Sequence, residues 1–361
     1  MNVDRRYAAV AAIVGIFVLV QVGALALVEP FKSAGFQDVQ NPSDPTNSLL
    51  YVGAILVATV GMLAAFRYGG DRIVRFVLVV SSGYLSFYVF AVLVPALPVA
   101  GPAAFAPALA LAALVTAALW FYPEWYVIDA AGVVMGAGAA GLFGINFGVL
   151  PALVLLVILA VYDAVSVYGT EHMLTLAEGV MDLKVPVVLV VPLTLSYSFL
   201  EVSPDASGGG SDAGSEDSAV GDGGESHRTA ADEAETDDGA ADAADARSDA
   251  ADARSDDQDD DRDAFFIGLG DAVMPSILVA SAGFFAPVSG SLVPGIALTL
   301  PALTAMVGTN LGLLALMYFV MQGRAHAGLP LLNGGAIGGY LVGAVAAGIP
   351  LVQALGLSSY L

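Results

Sequence analysis

Nine apolar runs, each near or above the length that crosses a bilayer, decide the class of this chain before any motif is read. They fall at roughly 7–28, 48–66, 73–98, 103–121, 126–147, 149–169, 264–285, 292–321 and 329–355. About 20 helical residues, rising 1.5 Å each, cover the ~30 Å hydrocarbon layer. With 57% hydrophobic and only 13% charged residues, the reading is an all-α polytopic membrane protein with nine transmembrane helices. No small-residue cleavage site follows the first run, so it is read as a retained helix. The eighth and ninth runs are long, and kinks are expected at Pro301 and Pro350.

Charge sets the orientation. With the N-terminus cytoplasmic, Arg5, Arg6, Arg67, Arg72, Arg75, Lys184 and Arg324 all fall inside and Lys32 alone falls outside. An odd number of spans then places Leu361 on the extracellular side. The net charge of −22 is concentrated in one place: residues 201–263 hold 22 of the 34 acidic residues against four Arg. Almost nothing apolar accompanies them, so a disordered cytoplasmic loop is expected between helices 6 and 7. The chain divides into an N-terminal membrane part (1–200), this acidic loop (201–263) and a C-terminal membrane part (264–361). The acidic balance argues against a nucleic-acid binder, and the absence of cysteine excludes disulfides and thiol catalysis. An Asp-rich chain with only two Lys suits concentrated salt, where charges are screened within a few ångströms, so a halophilic source is expected.

Two short segments precede the acidic loop. Residues 170–184 are expected to form an interfacial helix, with Leu174, Leu176, Ala177, Val180 and Met181 on one face. Val187 to Val191, β-branched and bracketed by Pro186 and Pro192, read as an extended strand or re-entrant piece.

Two carboxylates interrupt the apolar sequence. Asp163 stands in Val161-Tyr162-Asp163-Ala164, and Asp271 in Gly268-Leu269-Gly270-Asp271. A charged Asp at the centre of a membrane helix costs about 2.5–3.5 kcal/mol, which makes each a functional-site candidate. Counted along ideal helices, Asp163 lies six or seven residues from the inner end of the sixth span and Asp271 seven residues into the seventh. Both would then sit about 10 Å below the cytoplasmic surface. No Lys or Arg occurs between Arg75 and Lys184, so spans four to six offer no counter-ion. Two close carboxylates in a dry site share one proton. Such a pair activates water with one member and protonates a carbonyl oxygen with the other, hydrolysing an amide without a covalent intermediate. Gly268 and Gly270 clear space for another helix or a substrate, and Pro275 loosens the helix one turn later. Tyr162 is placed to hydrogen-bond a carboxylate or line the cavity.

Tyr162-Asp163 in one helix and Gly268-Leu269-Gly270-Asp271 in the next, separated by a long cytoplasmic loop, resemble presenilins and signal peptide peptidases, in particular archaeal presenilin homologues. The likeness covers the membrane part and leaves out residues 201–263. It implies an intramembrane aspartyl protease of the cell membrane, surrounded by membrane lipids, with transmembrane protein or peptide substrates and neither cofactor nor metal. Asp163 and Asp271 match the family's catalytic positions. Its third motif, Pro-Ala-Leu, occurs here at Pro95, Pro107, Pro151 and Pro301, none of which begins the last span. Gly328-Leu329-Pro330 stands there instead and is assigned that role, while the four exact copies are read as helix-start or kink chemistry. Cutting a helical substrate requires local unwinding, and strand addition satisfies the exposed backbone in low dielectric. Val187–Val191, with backbone near Gly328–Pro330, is the expected edge.

The same acids suit a second class, a proton- or cation-coupled transporter or leak channel. Other polar residues receive plainer roles. Asp129 is read as a solvated helix-end acid, and Glu171 and His172 as groups at headgroup level. Asn146 and Asn310 are read as interhelical hydrogen-bonding groups. Gly132 to Gly148 and Gly334 to Gly339 are read as close-packing faces, and Arg67–Arg75 as a topology signal with anionic-lipid contact as the alternative. Nothing in the sequence assigns an accessory subunit or an oligomeric state.

Overall fold

The computed structural model describes residues 3–99, 101–169, 188–192, 264–288, 290–322 and 327–359. In chain order these form α1 (Val3–Ser33), α2 (Thr46–Arg67), α3 (Asp71–Leu93), α4 (Ala106–Phe121), α5 (Trp125–Asn146) and α6 (Val149–Gly169). There follow strands β1 (Val188–Pro192) and β2 (Ala264–Gly268), then α7 (Leu269–Phe285), α8 (Leu300–Met321), α9 (Gly328–Ala346) and the short α10 (Leu351–Ala354). Eight of the described helices are long and apolar enough to cross a membrane, and α7 is a shorter apolar helix of 17 residues. A multi-pass helical architecture is therefore present. The expected interfacial helix at 170–184 and the acidic segment 201–263 lie outside the described residues.

The last three spans differ from the sequence expectation, each for a local reason. The seventh begins as a strand: Ala264-Phe265-Phe266-Ile267-Gly268 pairs antiparallel with β1 in the register Val188↔Gly268 to Pro192↔Ala264. A short apolar run rich in Phe and Ile fits either state, and the partner strand decides. The eighth starts at Leu300 rather than near 292, after Gly295 turns the chain with φ +82°. Pro301 does not kink α8. It occupies the first turn, where a missing N–H costs no intrahelical bond. The ninth stops at Ala346, Gly348 reverses direction at φ +76°, and Pro350 precedes α10 instead of bending a continuous helix. The Tyr340 hydroxyl then donates to the Ala354 carbonyl at 2.7 Å, holding α10 against α9.

The core is centred on α1 and α5. Ile13, Phe17, Val20, Ala24, Val28 and Phe31 form a buried stripe on α1 at spacings of three and four. α5 brings glycines to the contact: methyls at Gly136, Gly141 and Gly144 would press on Leu269, Phe31 and Ala280 respectively. Small residues let helix backbones approach in a medium where lipid is as apolar as any side chain. α8 and α9 meet still more closely. A methyl at Gly308 would overlap the Gly335 carbonyl, and one at Gly339 the Thr304 carbonyl. Gly334 and Gly338 meet open space, so only one face of the glycine-rich run is a packing face. Asn310 donates to Gln21 Oε1 at 2.9 Å, the expected interhelical bond. Asn146 instead ties a loop to α5, accepting from Asp38 and Val39 amides at 2.9 and 3.2 Å.

Candidate active site

The site is assembled around the first turn of α9. A helix start exposes backbone N–H groups that have no partner within the helix. Gly328 and Leu329 carry two of them, while Pro330 has no N–H to satisfy and a backbone angle already suited to a helix. No side chain of α9 caps this end. Asp163, six residues before the end of α6, takes that place from another helix: its Oδ2 accepts the Leu329 N–H at 3.0 Å. The Asp163 side chain is buried, at 5% exposure.

Asp271 reaches the same turn from α7. A methyl built on Gly328 would lie 3.6 Å from Asp271 Oδ2, so this carboxylate borders the residue next to the Asp163 donor. Both carboxylates thus reach the first turn of α9, Asp163 at the Leu329 N–H and Asp271 beside Gly328. Asp271 is the third residue of α7, not the seventh of a longer helix, because β2 takes the five residues before α7. At ~3.3 Å per strand residue and 1.5 Å per helix residue, it lies roughly 20 Å of contour beyond Ala264, against ~10 Å for an all-helical path. The acids therefore meet because both face the start of α9, not because they lie at equal counts along two helices.

The other expected site residues separate into groups. Gly268 abuts Asp271, since a methyl there would sit 3.6 Å from its Oδ2, and Gly270 faces open space. Leu269 is buried instead: its side chain packs on Gly136, where an added methyl would come within 3.2 Å of it. It anchors α7 to α5. Tyr162 is 40% exposed, and its hydroxyl makes no hydrogen bond among the described residues, so it does not hold either carboxylate. Residues 100° apart on a helix face different neighbours, and Asp163 alone turns inward. Gly328 and Leu329 stand at the turn that borders both carboxylates.

Two residues were not recognised as part of this assembly. Asp129 is not a solvated helix-end acid. It is 9% exposed, and its Oδ1 accepts the Val190 N–H of β1 at 2.8 Å. The signal was its spacing: Asp129, Gly132 and Gly136 share one face of α5, and that face meets β1 through Leu189, which lies 3.0 Å from a methyl built on Gly132. This bond also bears on the expected substrate edge: β1 pairs along one side with β2 in a two-stranded sheet, and on its other side the Val190 N–H is taken by Asp129. The second is Asn333, fully buried on α9, whose Nδ2 donates to the Leu156 carbonyl of α6 at 3.0 Å. It braces the two helices that carry Asp163 and its donor. A polar amide inside Leu331-Leu332-Asn333 was the available signal.

A polytopic helical bundle that gathers two acids from separate helices at one helix start has the construction of an intramembrane aspartyl protease. Comparison with known proteins gives the same class. The family model described as signal-peptide peptidase, presenilin aspartyl protease matches residues 14–349. A solved presenilin family intramembrane aspartate protease in a C222 crystal form is 34% identical, covering 94% of this chain and 99% of its own, with a TM-score of 0.59. A second, in a P2 form, is also 34% identical over 93% of this chain and 97% of its own, with a TM-score of 0.55. No curated protein matches the chain. The chain belongs to the signal-peptide peptidase and presenilin family of aspartyl proteases, and it is an aspartic endopeptidase that works within the membrane.

Proposed function

We propose that Asp163 and Asp271 are the catalytic dyad and that the first turn of α9 positions it. The observation that carries this reading is the shared border: Leu329 N–H on Asp163 at 3.0 Å and Gly328 beside Asp271 Oδ2. The pair holds one proton between its two carboxyls. The ionised carboxylate takes a proton from a water molecule, whose oxygen bonds to the peptide carbonyl carbon. The protonated carboxyl gives its hydrogen to the carbonyl oxygen, producing a tetrahedral diol. In the collapse of the diol the C–N bond breaks, the ionised carboxylate takes a proton from one hydroxyl and the protonated carboxyl gives its own to the departing amine, so the dyad again holds one proton. Atoms balance with water as the only co-substrate.

Substrate backbone enters beside Gly270, where no atom beyond its chain neighbours and its own helix backbone lies within 4 Å of the point from which a side chain would start. Leu269 and Asp129 hold the surrounding framework, and Tyr162 lies outside the proton relay. The substrates are transmembrane segments of proteins or peptides, and the enzyme resides in the cell membrane. The composition supports a halophilic source; activity that rises with salt is expected, and full activity in dilute buffer would contradict it.

The dyad is tested by mass spectrometry of a transmembrane substrate incubated with the purified full-length protein in detergent. The wild type releases fragments with new termini and needs no ion gradient. Asp163→Asn and Asp271→Asn should each lower the rate by about 10⁴-fold or more, as for residues that act as a unit. Wild-type cleavage by either variant would overturn the assignment.

A further inference from the structure

A cavity of about 760 Å³ lies between α3 and α4, lined by neither dyad residue. Its walls include Phe76 and Val80 of α3 and Leu109, Ala113 and Trp120 of α4. Most of these side chains are exposed, Leu109 to 61% and Phe76 to 56%, so the trough opens outward along the helices rather than into the bundle. Its floor is set where Gly83 leaves room for Thr116, whose hydroxyl occupies the space a side chain would need. An open apolar trough facing lipid has no chemical preference by itself.

One end supplies the preference. The Arg75 guanidinium lies over the Trp120 ring, 5.3 Å from its centroid, and an Nη donates to the Trp120 carbonyl at 3.1 Å. That fixes a positive, planar group at the mouth of the trough. Its Nε is buried with no hydrogen-bond partner among the described residues. With one Nη committed to the Trp120 carbonyl, the other Nη donors and the positive charge suit an oxyanion. Exposed Arg72 stands one turn before Arg75 on α3, and Arg67 closes α2, so the same end of the helices carries further positive charge. Asp71 is the acid in this stretch of sequence.

We propose that the groove between α3 and α4 binds one anionic phospholipid, its phosphate on Arg75 and a hydrocarbon chain along Phe76, Val80 and Ala113. Size separates this occupant from a substrate helix. A spanning helix about 10 Å across and 30 Å long fills roughly 2,400 Å³, several times the cavity, whereas a volume of hundreds of cubic ångströms suits a small ligand. Charge separates it from a neutral lipid, which gives the Arg75 mouth no net negative partner.

Native mass spectrometry of the full-length protein in detergent, with phosphatidylglycerol or phosphatidylcholine of identical chains, tests the site. The wild type should retain one phosphatidylglycerol and prefer it about fivefold, the effect of one cation near an anionic headgroup. Arg75→Gln should remove that preference while leaving hydrocarbon-chain binding. Ala113→Phe fills the trough from an exposed position and should abolish retention of both lipids. Leu109→Trp does the same from a neighbouring turn, should the first variant fold poorly. Equal retention of the two lipids by the wild type, or undiminished retention by the filled variants, would overturn the proposal. So would a dimer mass that vanishes when the trough is filled, which would make a second copy of the chain the occupant.

Discussion

The seam between α8 and α9 and the outer wall of α2 to α4 are built from similar apolar residues, yet they are packed in opposite ways. In the seam, backbone meets backbone: methyls at Gly308, Gly312, Gly335 and Gly339 would each overlap a carbonyl of the facing helix. In α2, methyls at Gly53 and Gly61 meet nothing within 4 Å, and Leu50, Val57 and Val60 are exposed. Lipid tails solvate Leu and Val as well as a neighbouring helix does, so hydrophobicity alone fixes no position in a membrane. Close backbone contact does fix position, because a tightly packed interface has few alternative arrangements. The α9 start that borders both acids follows directly from this rigid pair, whereas the outer wall leaves a groove. The difference explains why one region holds a site to within a hydrogen bond and the other exposes surface to lipid.

Five substitutions at four positions break or sharpen that contrast. Gly335→Leu should cost about 3 kcal/mol or more, because the added side chain has only the Gly308 backbone to displace. Melting of the full-length protein in detergent would measure it, and an unchanged midpoint would mean that the seam gives way easily. Asp129→Leu should come next, at about 1–3 kcal/mol, since it leaves the buried Val190 N–H without its acceptor. Asp129→Asn keeps an oxygen for that N–H and should restore most of both stability and cleavage; equal damage from both variants would point to the charge instead of the bond. Asn333→Leu removes one brace between α9 and α6 and should cost about 0.6–1.7 kcal/mol, with a matching fall in cleavage rate. Gly61→Leu on the outer wall should change stability by about 0.5 kcal/mol at most. A large loss there would erase the distinction between the two regions.

The legibility of the sequence follows the same division. Apolar length gave the spans, since crossing a bilayer is a requirement on single segments, and the acids stood out because lipid makes them costly. Gly328 and Leu329 could be singled out from their position at the start of the last span, and their backbone borders the two carboxylates. The β1–β2 pairing was half readable. Val188–Val191 carries the β-branched signal, but Ala264–Gly268 is too short and apolar to distinguish strand from helix without its partner. Asp129 was misread because distance from a helix end is a poor guide to burial when a strand crosses that end. Tyr162 makes no hydrogen bond to either carboxylate because neighbours in sequence point to different faces of a helix. What escaped the sequence was, in each case, a contact made by two distant segments.

The central claim is that Asp163 on α6 and Asp271 on α7 share one site at the start of α9, and the absence of native cysteine permits a direct measurement. Asp163→Cys and Asp271→Cys are combined, treated in the membrane with a short bis-thiol reagent, and the chain is then cut by protease within residues 201–263. The two membrane parts should migrate as one linked species, while a Gly61→Cys, Asp271→Cys control pair, with one cysteine on each side of the cut, should separate. Separation of the Asp163–Asp271 pair under conditions where both thiols are labelled would contradict a shared site.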